Sequence, residues 1–431
     1  MNKYGIFIIA AILAYTFDSL SRLSTDLETA KGLLRKSESW AITIVEILRQ
    51  SPTEVFAIAK IDTVNASILV KIPTSKAALY DRMLVSGEIN FDLDPQLDSY
   101  YRVKRIIASL EVSTILFTES HFSILGYFHR IRLTISNILT AKLNYRAAAL
   151  LAGIMWGDTD LLPRAVKDNF KEVGLSHVMA VSGANMSLLA QIVLNLLYYL
   201  PIRWRYLLTI IFIILFSGVV GMSAAVIRAA LMAIVGAFAA ISGQKYWSQR
   251  AFIFVLLAVF IFNPLIILYD VGFQLSCAAT ASLLFLNPRV IVFFGFVPYQ
   301  SLRNLLATTI TVSLGILPIT LYYFSVWYPL SLLVNVLLLP LISLLSMVLY
   351  FLFILLFLPV IQDIVAVIVS IALSSLLELI RILAAASSSL VLTWKMPLSI
   401  LFLFYFFLIF LIVEGGWGGI ISRVKSLIGK P

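Results

Sequence analysis

Long apolar runs dominate the chain beyond residue 178. Most are close to the length of about 20 residues that an α-helix needs to cross the hydrocarbon core of a bilayer, and short polar loops separate them. Membrane-crossing helices are therefore predicted at 178–199, 207–222, 225–242, 251–268, 271–287, 303–324, 343–358, 361–386 and 396–414. A soluble core has no need of so many apolar helices, so the pattern predicts a polytopic membrane protein.

One further apolar run, LSLLVNVLLLPL at 330–341, is too short to cross a bilayer and has Pro340 near its end. A proline inside a membrane helix frees a carbonyl that protein or water must satisfy, which predicts a re-entrant or broken helix. The positive-inside rule favours the same interpretation. With the N-terminus inside and the β-rich domain outside, the basic loops around 203–205, 245–250 and 289 fall on the cytoplasmic side. A re-entrant segment places the basic tail 416–431 there as well, whereas a full crossing would leave the tail outside.

The first residues form a short apolar run, YGIFIIAAILAYTF at 4–17, behind Lys3. A signal peptide would be followed by a small-residue cleavage pattern, and none is present. We therefore expect residues 1–20 to be an uncleaved membrane anchor.

Residues 18–120 alternate between short β-prone runs and turn residues. The runs lie at 40–48, 54–61, 66–72, 83–91 and 102–112. Five short strands at this spacing are typical of a small sandwich or barrel, so we expect an all-β, OB-like domain over 21–120, on the exoplasmic side. The net charge of 18–120 is −2, which argues against a strong general grip on a phosphate backbone, although Lys104 and Arg105 could contact phosphate locally.

A basic stretch follows at 121–176, with no acidic residue between His121 and Trp156. Basic residues recur along an apolar helical pattern, at Arg130, Arg132, Lys142 and Arg146. Such amphipathic helices usually lie on a membrane surface, which is the favoured interpretation. Contacts of these four residues with nucleic acid at an entrance are the alternative.

Composition excludes several kinds of chemistry. The chain has one cysteine, Cys277, and three histidines, His121, His129 and His177. It has no HExxH or CxxC pattern and no GxxxxGK[ST] phosphate loop. We therefore expect no metal site, no cofactor and no catalytic residues, and an energy source outside this chain. The formal net charge of +10 lies in the membrane half, where the positive-inside bias partly explains it.

A motif-like string lies at 151–189, LAGIMWGDTDLLPRAVKDNFKEVGLSHVMAVSGANMSLL. Its landmarks are Gly157-Asp158, Gly174-Leu175, His177, Ala180 and Ser182-Gly183. The string resembles the competence domain of the ComEC family, the membrane channels for DNA uptake in natural transformation. Where many members continue with Leu-His, this chain has Ala184-Asn185.

Further segments match the family in order: AAVIRAALMA at 224–233, YDVGFQLSCAAT at 269–280 and LLVNVLLLPLIS at 332–343. The resemblance therefore covers nearly the whole chain. Together with the apolar pattern, it predicts a mainly α polytopic membrane protein of about ten spans plus a re-entrant segment, with the small exoplasmic β domain in front. The channel domain would occupy 177–415 and a basic cytoplasmic tail 416–431.

The implied function is a channel in the bacterial inner membrane that moves single-stranded DNA into the cytoplasm. Besides DNA and membrane lipid, the family implies a DNA receptor outside and a helicase-type ATPase inside. Many members continue into a metallo-β-lactamase-like domain. This sequence stops at Pro431, so we expect a separate nuclease if one strand is degraded. The alternative is a small-solute or ion transporter on the same scaffold, although no clear inverted repeat is visible.

Two interpretations remain open for the candidate path residues. Ser182, Gly183 and Asn185 either let membrane helices pack closely or mark a break that lines an aqueous route. Arg228 lies mid-span, where an unpaired charge costs roughly 2.5 kcal/mol or more. It either pairs with Asp270 or faces the path and contacts phosphates. The other candidates are His177, Gln274, Ser276 and Asn335.

Overall fold

The computed structural model describes residues 15–413, apart from 17, 20, 22–24, 36, 38, 51–52, 63–65, 74–78, 95–97, 121–123, 160, 180–182, 222, 244–246 and 359. Most of the predicted anchor at 1–20, and the whole tail at 416–431, lie outside the described residues. The chain divides into two compact units: 1–133 with 256–270, and 134–255 with 271–431.

The first unit is built on a five-stranded β-barrel, so the predicted small β domain is confirmed. Its strands are β1 (Trp40–Gln50), β2 (Val55–Ile61), β3 (Ser67–Ile72), β4 (Asp81–Asn90) and β5 (Ile106–Ser120). The strands close in the order β1-β2-β3-β5-β4. The β3–β5 pair is parallel and the other pairs are antiparallel.

Alternating burial along the strands gives the barrel an apolar interior. Ile68, Val70 and Ile72 of β3 point inward between half-buried neighbours, as the two-residue period of a strand requires. A helix at 25–34, α1, adds Ala30 and Leu34 to this interior. The barrel thus has a continuous apolar core.

The predicted strand at 102–112 was wrong at its start. Residues Asp98–Lys104 form a short helix, α2, and the strand begins only at Ile106. Arg105 between them has φ 54°, a left-handed conformation that ends the helix. Lys104 Nζ is 2.5 Å from Glu46 Oε2 on β1, so this basic side chain has an acidic partner on the barrel.

Unit 1 also contains part of a predicted membrane helix. The span predicted at 251–268 is divided into α10 (Ser248–Phe262) and α11 (Pro264–Tyr269). Asn263 between them is extended, and its side chain accepts from Leu265 N, while Pro264 occupies the first turn of the new helix. An N-cap followed directly by proline starts a new helix, so a single straight crossing here was a wrong prediction.

Helices form almost all of the described part of unit 2, and the first of them, α3, begins in unit 1. Before α10 they are α3 (Ile124–Lys142), α4 (Tyr145–Trp156), α5 (Arg164–Glu172), α6 (Ser176–Met179), α7 (Gly183–Leu196), α8 (Ile202–Val220) and α9 (Ala224–Ile241). After α11 come α12 (Val271–Ala281), a π-helical turn Ser282–Leu286, α13 (Asn287–Val290), a 3-10 turn Ile291–Phe294 and α14 (Gln300–Phe324). The chain then forms a two-stranded sheet, β6 (Val326–Trp327) with β7 (Leu392–Thr393), and helices α15 (Leu330–Leu355), α16 (Gln362–Ser387) and α17 (Leu398–Val413).

Five helical stretches of the described chain are long and apolar enough to cross a membrane. They are Ile202–Val220, Val271–Phe294, Gln300–Phe324, Leu330–Phe353 and Gln362–Leu390. Shorter apolar helices of 10–17 residues lie at Asn185–Leu196, Ala225–Ile241, Ser248–Phe262 and Leu398–Phe410. The prediction of about ten full spans is therefore not confirmed, although each predicted position contains an apolar helix.

The re-entrant segment was a wrong prediction. Helix α15 runs without interruption from Leu330 to Leu355 and includes Pro340, so 330–341 and the span predicted at 343–358 are one helix. A proline removes one hydrogen bond from a helix, and membrane helices tolerate this because their neighbours satisfy the freed carbonyl. One helix takes the place of the predicted re-entrant segment and the single span that followed it. The number of predicted membrane crossings is therefore unchanged.

The core of unit 2 is centred on α4. All ten residues from Ala147 to Trp156 are buried. All of them except Gly153 form one apolar cluster with residues of α15 and α16 such as Val334, Leu349 and Leu373. Small side chains at Ala147, Ala148, Ala149, Ala152 and Gly153 allow close helix packing. Whether 121–176 as a whole lies on a membrane surface stays a prediction.

Candidate functional site

Two glycines shape the motif string because each has a backbone conformation that L-residues avoid. Gly157 has φ 75° and ends α4, with its N–H donating to the Gly153 carbonyl. Gly174 has φ 74°, and a Cβ there would lie 2.5 Å from Ser331 Cβ on α15. Glycine is thus required at 174 both by conformation and by the close approach of α15.

The motif then enters a four-residue helix and a second, longer one. His177 lies on α6 with its side chain exposed, and Val178 and Met179 are buried beside it. Ser182 lies outside the described residues. Gly183 is the first residue of α7 and Asn185 is the third, so the described part of the predicted cluster of small and polar residues lies at the start of this helix.

Three predicted residues come together around a buried guanidinium. Arg228 lies in α9 and is 6% exposed; among the described residues it is the one basic side chain that is buried. Its Nη2 and Nε donate to Ser276 Oγ of α12 at 2.6 and 3.1 Å. A Cβ on Gly183 would lie 3.5 Å from Arg228 Nη2 and 3.5 Å from Ala229 Cβ. We call Gly183, Arg228 and Ser276 the arginine cluster.

The sequence explains why these three helices meet. The α9 segment AAVIRAALMA has small residues on either side of Arg228, which lets α7 and α12 approach its backbone. Ser223 caps α9 by accepting from Val226 N, which fixes the start of the helix only five residues before the arginine. Arg228 Nη1 also lies 3.6 Å from Met232 Sδ, one turn further along.

Within unit 2 the guanidinium of Arg228 contacts two neutral acceptors, Ser276 and Met232, and it retains its full charge. Arginine stays protonated at any physiological pH, and a hydroxyl and a thioether are weak acceptors compared with a carboxylate or phosphate oxygen. The arginine cluster is therefore a positively charged site inside an apolar bundle. An anion that reached it would offer Arg228 a stronger acceptor than Ser276 does.

The other predicted path residues contact different parts of the helical unit. Asn185 Nδ2 donates to the Ile154 carbonyl at 3.3 Å and so joins α7 to α4. Gln274 hydrogen-bonds Tyr323 of α14. The Oδ1 of Asn335 is buried and has no hydrogen-bond partner among the described residues. An ion pair between Arg228 and Asp270 would join the two units and stays a prediction.

A sequence model of the competence protein family matches residues 154–417, well over half of the chain. The chain belongs to the competence protein family. The matched range contains the arginine cluster, both motif glycines and the apolar helices α7 to α17. This is therefore a membrane protein, and the region that matches the family lies mostly in its helical unit. The resemblance to ComEC proteins seen in the sequence is confirmed.

A curated relative extends the comparison. ComE operon protein 3 of Bacillus subtilis (strain 168) is 28% identical over 200 residues, which is 45% of this chain and 24% of the relative. The aligned region thus spans about a quarter of the relative's length. No solved structure matches the chain.

The four basic residues that were predicted as entrance contacts differ from one another in their surroundings. Arg130 is exposed on α3. Arg132 is half-buried, with Nη2 3.1 Å from His129 Nδ1. Lys142 Nζ donates to the Leu356 carbonyl at 2.8 Å and to Gln362 Oε1, which closes the end of α15. Arg146 is exposed at the start of α4.

Sequence reasoning missed a contact that fixes the last helix. Tyr405 of α17 donates its hydroxyl to the Gly315 carbonyl of α14 at 2.6 Å, and Gly315 also lies directly against Ser282 in the π-helical turn. Glycine in the middle of an apolar helix was the available signal, because it marks a close approach of backbones.

In the part of the chain that the structure describes, no group of three or more His, Cys, Asp or Glu could hold a metal ion.

Proposed function

We propose that this protein takes part in DNA uptake during competence, as a channel in the bacterial inner membrane that passes single-stranded DNA into the cytoplasm. The observation that supports the proposal is the arginine cluster, a buried positive charge that contacts neutral acceptors of unit 2 at the junction of α7, α9 and α12. Family membership supplies the context, because the matched region contains this junction.

The chemistry of the cluster suits a phosphodiester better than a cation. A guanidinium offers five N–H donors in a planar fork that matches phosphate oxygens. Arg228 directs two of its nitrogens to a single serine oxygen, and a passing phosphate would replace that weak acceptor. Successive phosphates would each be attracted and then released, because Ser276 remains as the resting partner.

Gly183 supports the same mechanism by leaving space beside the guanidinium. A methyl group there would be in ordinary van der Waals contact with Arg228 Nη2, at 3.5 Å. Any longer side chain would have to occupy the volume next to the charge. Gly183 would thus leave space beside the guanidinium, Arg228 would contact the phosphates, and Ser276 would hold the arginine in position.

The rest of the chain fits a supporting role. In the proposal, the barrel unit is an OB-like domain outside the membrane, and its strand order with a parallel β3–β5 pair supports that assignment. The protein would act as a conduit and not as an enzyme. An outer DNA receptor, a cytoplasmic helicase-type ATPase and a separate nuclease would supply capture, energy and strand degradation.

Uptake of labelled DNA into the cytoplasm tests the proposal with two matched pairs of variants. Arg228→Met removes the buried charge, whereas Arg203→Met removes an exposed charge on α8. Gly183→Leu fills the space beside the guanidinium, whereas Gly183→Ala makes only ordinary contacts. At equal membrane abundance, Arg228→Met and Gly183→Leu should abolish uptake while DNA still binds the cell surface, and both controls should retain it.

Normal uptake in Arg228→Met and Gly183→Leu would contradict the path through the arginine cluster. A solute transporter on this scaffold predicts a different pattern, in which DNA uptake is normal in every variant and transport of a small anion is lost in Arg228→Met.

A further inference from the structure

A second charged site lies in unit 2, away from the arginine cluster. A cleft of about 500 Å³ opens between the first turn of α4, α5 and the second half of α16. Arg146, Glu378 and Arg381 line it together with the apolar side chains of Phe170 and Leu377. We call this the α4–α16 cleft.

Polar side chains interrupt the outward apolar face of α16 beside this cleft. Residues three or four apart share one face of a helix. On this face the exposed side chains are apolar at Ile364, Val367, Ile368 and Ile371, polar at Ser374, Glu378 and Arg381, and apolar again at Leu379 and Ile382. The polar group begins within about 5 Å of Ile371 along the helix axis. An exposed apolar stripe on a membrane helix faces lipid, so these polar side chains lie beside a lipid-facing surface.

The composition of helix α5 indicates the depth of the cleft. Five of its nine residues are charged, and Phe170 is buried, a composition typical of a helix that lies at the membrane surface. It packs beside the second half of α16, where Ser387 Oγ donates to the Glu172 carbonyl at 2.6 Å. The α4–α16 cleft therefore lies at the level of lipid headgroups.

The charges in the cleft favour a ligand with one negative charge. Arg381 Nε donates to both carboxylate oxygens of Glu378, at 3.1 and 3.0 Å, and Arg146 is close enough to interact electrostatically with the same carboxylate. Two guanidinium groups and one carboxylate leave a formal excess of one positive charge. The N-terminus of α4 adds the partial positive charge of its helix dipole.

We propose that the α4–α16 cleft binds the headgroup of an anionic phosphoglycerol lipid. Arg146 and Arg381 would donate to the phosphate oxygens, and the glycerol hydroxyls would donate to Glu378. The acyl chains would lie along the apolar stripe of α16 that leads away from the cleft. Basic pockets between membrane helices bind anionic headgroups in this way, and the apolar wall at Phe170 and Leu377 suits a lipid better than a polynucleotide.

The test uses the full chain in neutral detergent, titrated with dioctanoyl phosphatidylglycerol or dioctanoyl phosphatidylcholine, with bound lipid counted by native mass spectrometry. Phosphatidylglycerol should bind more tightly than phosphatidylcholine. Arg146→Gln and Arg381→Gln should each weaken it by about fivefold, and the double variant by about 25-fold, from a contribution near 1 kcal/mol per basic residue at a lipid surface. Arg164→Gln, an exposed α5 residue outside the cleft, should bind like the unchanged protein.

Glu378→Gln separates lipid binding from a structural role of the ion pair. If Arg381 acts on the lipid phosphate, loss of the competing carboxylate should leave phosphatidylglycerol binding equal or tighter. Weakening equal to that of Arg381→Gln would overturn the proposal, because it would mean that the pair only maintains the fold.

Three further results would also overturn it. The first is equal binding of the two lipids, which would show no recognition of the anionic headgroup. The second is displacement of phosphatidylglycerol by inorganic phosphate at the same concentration, which would assign the cleft to free phosphate. The third is a thymidine oligonucleotide that displaces the lipid and whose own binding is lost in the double arginine variant, which would assign the cleft to DNA.

Discussion

Removal of the Ser276 hydroxyl should destabilise the protein by leaving the buried guanidinium of Arg228 without its closest acceptor. Ser276 Oγ accepts from both Nη2 and Nε, and Arg228 is only 6% exposed, so water has little access to replace the hydroxyl. An unsatisfied buried donor costs about 1–3 kcal/mol, and more if it is charged. We therefore expect Ser276→Ala to lower the free energy of unfolding by about 2 kcal/mol.

The same contact predicts strong coupling in a double-mutant cycle. Arg228→Met removes the charge and leaves a side chain of similar length, and exchange of a buried charged group for an apolar one is often neutral or stabilising. Once the arginine is gone, Ser276→Ala should cost little. The two changes should thus be non-additive by about 1–2 kcal/mol, within the range for residues in direct contact.

Reversible unfolding of the full chain in detergent micelles would measure all four corners of the cycle. Ser217→Ala is the matched control, because Ser217 is also buried but its hydroxyl donates to the Ile213 carbonyl of its own helix at 2.7 Å, so its removal leaves no charge unpaired. Additivity of Ser276→Ala and Arg228→Met within about 0.5 kcal/mol would refute the reasoning that these two side chains form one energetic unit.

Three further outcomes follow from individual contacts. Gly315→Ala should destabilise the bundle because its methyl group would overlap Ser282, and Ser282→Gly should restore most of the loss in unfolding experiments on the double variant. Lys142→Ala should lower the free energy of unfolding by about 1–3 kcal/mol because the Leu356 carbonyl loses its partner, while DNA uptake per folded molecule stays normal. Burial raises the pKa of Tyr100 above its usual 10.0, so stability present below pH 10 should fall as the pH rises above it; Tyr100→Phe should reduce that loss in a pH titration of barrel unfolding.

The sequence predicted the β-barrel and the positions of the apolar helices because both depend on local periodicity. Alternating burial at Ile68, Val70 and Ile72 is a two-residue pattern that any closed or stacked sheet would require. The barrel closure itself depends on the parallel β3–β5 pair, which joins strands more than thirty residues apart and leaves no local signal. The start of β5 was misplaced for a local reason, because Arg105 adopts a left-handed conformation that side-chain type does not reveal.

Prediction was weaker where proline decides between a break and a continuation. Pro264 begins a new helix because Asn263 before it is extended and caps it, whereas Pro340 lies inside an unbroken helix. The two prolines differ in what precedes them, and only the Asn-Pro pair provides a cap. The sequence also identified Arg228 and Ser276 as candidates without placing them together, because their contact depends on how α9 packs on α12.

The burial of α4 has a consequence for how the protein is made. Nine of its ten buried residues belong to one apolar cluster with residues of α15 and α16, which the ribosome synthesises nearly two hundred residues later. Until those helices emerge, the apolar surface of α4 must be held by lipid or by the insertion machinery. The order of synthesis therefore separates insertion of the first helices from completion of the core. A chain truncated before Leu330 should be inserted into the membrane but rapidly degraded, because it lacks the helices α15 and α16 that bury α4.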